Sequence, residues 1–284
     1  MQIAQGSYHA ALRLAGAAAG VLPDLVPGTD ATMRANLRLV YGQPEDRLAR
    51  RVWTHFAKAF VDCVWFRRLF DPERFDHHFE WVGDALDHYR STGARGAVLV
   101  TGHFGNWELM GAAFHFLGIP LSPIVYADRS GRFARGIDDW RRSFGQELIP
   151  KRNALPLAMK AVRKGRCVAF MMDQSAGRYG IRIPFLGVPA YTHLAPARLA
   201  ERLDVPIYAG YSTRLGDGIR YRCHAEVVSR EGDAETVTRR INQILGEYVR
   251  ACPEQWWWFH RRFKELGKDR RQGVVDAAGR TERA

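Results

Sequence analysis

A histidine and a glutamate five residues apart, His103 and Glu108, stand in the run AVLVTGHFGNWELM with Gly105 and Asn106 between them. A carboxylate beside an imidazole fixes its tautomer and stabilises the imidazolium, so the pair reads as a general base, His103, oriented by Glu108. On one continuous helix five residues subtend about 140°, and the two side chains meet only if the chain bends between them. Gly102 and Gly105 supply such a bend, since glycine enters positive φ at no steric cost. The bland alternative is a helix-capping histidine beside a solvated first-turn acid. Two glycines, an amide and two ionisable groups at one strand end are more than capping requires.

The elements that must position this turn are legible on either side of it. Ala97 to Thr101, bounded by Gly96 and Gly102, has the length and β-branched content of a strand buried on both faces, and a helix starts near Asn106. Ligands in open α/β sheets sit at the carboxyl ends of strands, where a helix N-terminus offers free N–H groups. A second such end is CVAFMM, Cys167 to Met172, which runs into Asp173 and Gln174. His103 and Asp173 are thereby delivered to the same sheet edge and can share one cleft. Further strands are expected at Ser122–Ala127, Glu147–Ile149, Val205–Thr213 and Tyr221–Val228, the last two as a hairpin around Gly216–Asp217–Gly218. Helices are expected at Leu109–Leu117, Phe133–Phe144, Pro156–Lys164, Leu194–Leu203 and Thr236–Val249. Alternation of this kind predicts an α/β fold with a central, largely parallel or mixed sheet flanked by helices.

Before the sheet comes an N-terminal helical addition. Residues 8–22 are apolar but too short and too interrupted by Arg13 and Pro23 to span a bilayer, which takes about 20 apolar residues; a docking helix ended by Pro23 and Pro27 is expected. Helices follow at Thr32–Val40 and Glu45–Phe70, and Asp71 to Arg95 reads as a connector. Gly180 to Pro189 reads as a loop and short strand. The expected organisation is 1–70, a helical membrane-docking or groove segment; 71–265, the catalytic α/β core; and 266–284, a basic polar tail.

The net charge of +12 is too large to be incidental and points to an anionic partner: nucleic acid, an acidic membrane surface or an acidic carrier protein. No nucleic-acid-binding motif accompanies the basic residues, which argues against the first. Trp256, Trp257, Trp258 and Phe259 precede His260, Arg261, Arg262 and Lys264, a pattern that suits a membrane–water interface and equally a buried aromatic cluster with a solvated basic end. The four cysteines lack any CxxC or histidine at ligand spacing, so no metal site is expected, and reduced thiols in a cytosolic compartment are. Met1 to Gly6 lacks the basic start of a signal peptide.

The string GHFGNWEL resembles the bacterial lipid A biosynthesis acyltransferases, the late lauroyl and myristoyl transferases, within the glycerolipid acyltransferases that carry an H-x4-D/E motif. ANLRLVYG at Ala35 to Gly42, WRRSFGQELIPK at Trp140 to Lys151, MMDQSAG with IPFLGVPAYT, and CPEQWWWFHRRFK resemble that family's other blocks in the family's order. The resemblance implies a glycerolipid-acyltransferase-like fold and transfer of a fatty acyl group from a thioester, acyl carrier protein first and acyl-CoA second, to a glycolipid hydroxyl. No cofactor is implied. The acceptor is a lipid A precursor, or a phosphatidylinositol mannoside as in related members, and the place is the cytoplasmic face of a bacterial inner membrane, peripheral or monotopic.

On that reading His103 removes the acceptor proton and Glu108 holds the imidazole. Arg141, at the family's arginine position, stabilises the oxyanion, with the backbone N–H groups around Gly105 and Asn106 as the alternative. Asp173 orients Arg141 or the acceptor, or is purely structural. The acyl chain is expected against residues from Val52 to Phe66, Phe185 and Leu186. No GxSxG elbow is present, so no acyl-enzyme is required.

Overall fold

The computed structural model describes residues 2–93, 95–126 and 131–266. Its strands are β1 (Phe79–Val82), β2 (Ala97–Thr101), β3 (Leu121–Val125), β4 (Ile149–Pro150), β5 (Cys167–Met171), β6 (Ile181–Phe185), β7 (Val188–Thr192), β8 (Ile207–Arg214) and β9 (Tyr221–Val228). Seven of them form one sheet in the order β1-β9-β8-β2-β5-β3-β4, and β6 and β7 form a separate antiparallel hairpin. Within the large sheet only the β8–β9 pair is antiparallel, so the sheet is mixed with a parallel centre.

The helices are α1 (Gln2–Ala18), α2 (Leu22–Leu25), α3 (Pro27–Tyr41), α4 (Asp46–Leu69), α5 (Phe75–His78), α6 (Ala85–Ser91), α7 (Trp107–Phe116), α8 (Arg132–Ser143), α9 (Ala154–Arg163), α10 (Ala195–Leu203) and α11 (Ala234–Ala251). They cover both faces of the sheet, which is why its central strands are apolar without alternation. Val98, Val100 and Val168 pack on one side with Ala158 of α9, Leu199 of α10 and Ile241 of α11. Leu99, Cys167 and Ala169 pack on the other with Leu109, Met110 and Phe114 of α7.

Several sequence expectations change here. The connector before β2 contains an edge strand, β1, and helix α6. Pro23 and Pro27 do not end the first helix; they occupy the opening turns of α2 and α3, where a missing N–H costs nothing. No helix among the described residues is long and apolar enough to cross a membrane. Helix α1 lies on α4 through Tyr8 and Leu12, and the Tyr8 hydroxyl donates to the fully buried Asp62 at 2.7 Å. Apart from Leu266, the expected polar tail lies outside the described residues.

Candidate active site

Parallel pairing of β2 with β5 sets Thr101 beside Met171, so His103 and Asp173 each stand two residues beyond the same rung. The turn between β2 and α7 is held from every side. The His103 N–H donates to Asp173 Oδ2 at 2.6 Å, the Trp257 N–H donates to the His103 carbonyl at 2.8 Å, and the Gly105 N–H donates to the Gln255 carbonyl at 2.8 Å. Gly105 sits at φ +59°, and a Cβ there would meet the Ser212 carbonyl oxygen at 1.8 Å, so only glycine fits. Asn106 ends the turn as the N-cap of α7. Its Oδ1 accepts from the Leu109 N–H at 3.2 Å, and its Nδ2 donates to the Ala59 carbonyl at 3.0 Å.

The imidazole of His103 is held by Asp173, not by Glu108. Nδ1 lies 2.9 Å from Asp173 Oδ1. A carboxylate accepts, so Nδ1 carries a proton, and in the neutral ring Nε2 is the nitrogen with the lone pair. Asp173 is 1% exposed, and its Oδ2 also accepts from the Trp256 indole N–H at 2.9 Å. Burial alone would raise its pKa, but the charge and hydrogen bonds of His103, followed by the charge of His260, hold the carboxyl well below the usual carboxylate range.

Glu108, on the first turn of α7, points instead across to α8. Arg141 Nε donates to Glu108 Oε2 at 2.9 Å and Nη2 to Oε1 at 2.5 Å, a bidentate clamp, and the Trp107 indole N–H adds a third bond at 3.0 Å. Burial works to lower the pKa of Arg141, and Glu108 and then Asp138 raise it above its ordinary value. The chain does bend between His103 and Glu108 as their spacing demands. The bend turns the imidazole toward β5 and the carboxylate toward α8, so the two acids exchange the roles expected from sequence. The alternative oxyanion donors are withdrawn as well: the Gly105 N–H is engaged by Gln255, and the Asn106 N–H by Ser212 Oγ at 3.3 Å.

Residues that received no role in the sequence reading complete the site. Gln174 Nε2 stands 3.5 Å from His103 Nε2 and donates to His260 Nε2 at 3.0 Å. Arg262 is 1% exposed, donating to the carbonyls of Gln174 and Tyr191 at 2.7 Å each and to Thr192 Oγ1 at 2.7 Å; burial pushes its pKa down to about 10. Asn36 Nδ2 donates to the carbonyls of Trp258 and His260 at 2.7 and 2.6 Å. Trp256 and Trp258 are fully buried. The aromatic–basic run is therefore a strap locked under the active-site turn, and its two outer tryptophans do not face lipid. The signal that could have found these residues was present: each lies inside one of the sequence blocks quoted above.

Beside this turn lies a cleft of about 270 Å³ on the α7 face of the sheet. His103, Trp107, Glu108, Arg141 and Gln174 line its polar end, and Leu99, Met110, Gly111, Phe114, Leu121 and Ala169 its apolar depth. Neither residues 52–66 nor Phe185 and Leu186 line it; Phe185 packs against Trp256 in the core on the other face. The expected groove wall is corrected for a geometric reason: the odd-numbered residues of β2, β3 and β5 share the α7 face.

A sequence profile described as "Bacterial lipid A biosynthesis acyltransferase" matches residues 1–265. The phosphatidylinositol mannoside acyltransferase of Mycolicibacterium smegmatis is 24% identical over 264 residues, covering 89% of this chain and 83% of its own. The enzyme of the same name from Mycobacterium tuberculosis is 23% identical, covering 81% and 75%. The lipid A biosynthesis lauroyltransferase of Escherichia coli is 27% identical over 186 residues, 63% of this chain and 60% of its own.

Proposed function

Since the chain belongs to the bacterial lipid A biosynthesis acyltransferase family and is an acyltransferase, we propose that it moves a fatty acyl chain from a thioester to a glycolipid hydroxyl, with His103 as general base. The observation that carries the reading is the imidazole itself. Asp173 fixes its Nδ1 proton, and Nε2 is left beside an apolar cleft. Nε2 removes the proton of the acceptor hydroxyl as its oxygen attacks the thioester carbonyl. The imidazolium, stabilised by Asp173, then returns that proton to the departing thiolate. Transfer is direct and needs no cofactor.

The carbonyl oxygen gains negative charge in the tetrahedral intermediate. Arg141, held by Glu108 and Asp138, is the cation at the end of the cleft that His103 lines, and the Gln174 amide is a donor close to His103 Nε2. Glu108 thus acts as a positioning residue for Arg141. The acyl chain lies along α7 in the apolar depth, where each buried methylene contributes about 0.8 kcal/mol. The donor is acyl carrier protein, whose acidic character suits a chain of net charge +12, or acyl-CoA. The enzyme works on the cytoplasmic face of a bacterial inner membrane, where its acceptor resides. The acceptor is a lipid A precursor or a phosphatidylinositol-mannoside-like glycolipid; the second is favoured by relatives of that name matching a larger share of the chain.

Two substitutions test the assignment of the two acids. Asp173→Asn turns an amide N–H toward Nδ1 and reverses the tautomer, so kcat is expected to fall roughly 10²- to 10⁴-fold. Glu108→Gln leaves the His103–Asp173 contact in place but loosens Arg141, and is expected to lower kcat less than Asp173→Asn does. Near-normal turnover in Asp173→Asn, measured by transfer of a labelled acyl group from its thioester, would return the orienting role to Glu108.

A further inference from the structure

The lip of the cleft formed by β3 and α9 has a chemistry that acyl transfer does not require. Helix α9 opens with Leu155, Pro156 and Leu157 turned outward, the two leucines 46% and 42% exposed. Tyr126, just after β3, is 47% exposed, and Lys151 Nζ donates to its hydroxyl at 2.6 Å while lying 4.4 Å from the ring centroid. Tyr126, Lys151 and Ala154 all line the cleft, so this apolar tip adjoins the cleft mouth. Along this segment the charge has one sign. From Lys151 to Lys164 the chain carries Lys151, Arg152, Lys160, Arg163 and Lys164, all exposed, and no acidic residue. Among the described residues none of the five forms an ion pair.

An exposed Leu-Pro-Leu tip preceded by Lys151 and Arg152 and followed along the same helix by Lys160 and Arg163 and at its C-cap by Lys164, with Tyr126 at the same cleft mouth, is the composition of a segment that lies in a membrane interface: the apolar side chains enter the acyl boundary and the cations meet anionic headgroups. We propose that the first turn of α9, together with Tyr126, seats the cleft mouth on an anionic lipid bilayer. This rests on the reading of the acceptor as a lipid, and it specifies where that lipid enters. An acidic carrier protein would account for the five cations. It would not account for two leucines projecting from the first turn of a helix, whereas a bilayer accommodates a protruding apolar tip.

The tip is distinct from the N-terminal helices that the sequence suggested for docking. Leu14, Val21 and Leu25 there are also exposed, at 71%, 56% and 69%, so the two faces make separable predictions. The experiment is sedimentation of the full chain with vesicles of phosphatidylcholine alone or mixed with phosphatidylglycerol. Unaltered protein is expected to sediment with the mixed vesicles and to dissociate as salt is raised. The double variant Leu155→Asp, Leu157→Asp is expected to need roughly tenfold or more lipid for half-binding. It should keep its thermal midpoint and its turnover of a short-chain, water-soluble thioester. Lys160→Glu with Arg163→Glu, which leaves the leucines in place, is expected to weaken binding to mixed vesicles and not to neutral ones.

Unchanged sedimentation of the folded leucine variant would overturn the proposal, as would loss of binding on Leu14→Asp with Leu25→Asp and not on the α9 pair. If the α9 variants lose turnover only with acyl carrier protein as donor and still bind vesicles, the patch is a carrier-protein surface and the proposal is refuted. Vesicle binding is read without turnover. Failure of the acyl-transfer reading would therefore appear separately, as a lipid-binding protein that transfers no acyl group.

Discussion

Substitution at Gly111 should change which acyl chains the enzyme accepts, and the geometry says by how much. The strand register sets Leu121 level with Cys167 and Ala97, and Pro123 level with Ala169 and Leu99. Along β2, the stretch from His103 back to Leu99 spans roughly 13 Å and that to the level of Leu121 roughly 20 Å, at about 3.3 Å per residue. An extended hydrocarbon advances roughly 1.25 Å per carbon, from bonds of about 1.5 Å at tetrahedral angles. The depth therefore holds on the order of 10 to 16 methylenes.

Phe114, Leu121 and Gln146 line its far end. Gln146 is 7% exposed, its Nε2 has no hydrogen-bond partner among the described residues, and a Cβ at Gly111 would stand 2.9 Å from that nitrogen. Gly111→Leu adds four heavy atoms there and should exclude about two to four chain carbons. At about 0.8 kcal/mol per methylene, each excluded carbon lowers the preference roughly fourfold, or about fifteenfold for two. Competition among even-numbered acyl thioesters, with products resolved by mass, reads the shift toward shorter chains directly. Overpacking costs about 1–3 kcal/mol, so the thermal midpoint is measured alongside, and Gly111→Ala serves as the milder variant. Gln146→Ala should shift the profile the other way. A folded, active Gly111→Leu enzyme with an unchanged chain-length profile would refute the placement of the chain along α7.

Two further predictions concern stability. His55 is buried against the active-site turn, its Nε2 lies 3.1 Å from the Gly105 carbonyl, and burial pushes its pKa down to about 4. Its unfolded value is about 6.5, so between these values the unfolded chain binds more protons; stability is whole above about pH 6.5 and falls by about 3 kcal/mol as the pH drops to about 4. His55→Gln retains a donor for Gly105 and should flatten that slope in thermal denaturation across pH; an unaltered slope would show that another group is responsible. Asp62 is fully buried and accepts from Tyr8, Arg214 and Tyr221. Asp62→Ala strands the Arg214 guanidinium and should cost about 3–5 kcal/mol in denaturant unfolding, whereas Tyr8→Phe should cost about 1 kcal/mol; equal costs for the two would deny the charge its role.

The strands that carry His103 and Asp173 were legible because each is an apolar run closed by a glycine or a polar pair, and local sequence suffices for that. Which acid meets the imidazole was not. Proximity in sequence favours Glu108, five residues away, over Asp173, seventy away, and only the order β2-β5-β3, in which β5 is inserted between strands consecutive in the chain, reverses the choice. The β6–β7 hairpin was missed for a different reason. Its two-residue turn places Leu186 at φ +55° and Gly187 at φ +82°. Positive φ at both positions is the signature of a tight hairpin, but leucine rarely adopts it, so Leu-Gly does not advertise the turn.

The blocks that resemble the family are scattered along the chain, yet they meet at one place. Asn36 of the first block holds the carbonyls of Trp258 and His260 in the last. Trp256 and Arg262 of the last reach Asp173 and the Gln174 carbonyl in the block that follows β5, and Arg262 also reaches Tyr191 and Thr192 of β7. Arg141 holds the Glu108 of the opening turn. A base on a turn can wander by an ångström, and a displacement of that size is enough to cost about 10²-fold in rate. Burying Arg262 with its full charge is tolerated because three acceptors converge on it, and the result is a turn whose geometry is set by segments from both ends of the chain. The restraint explains why a strap of buried tryptophan and arginine, superficially a membrane anchor, belongs to the catalytic site.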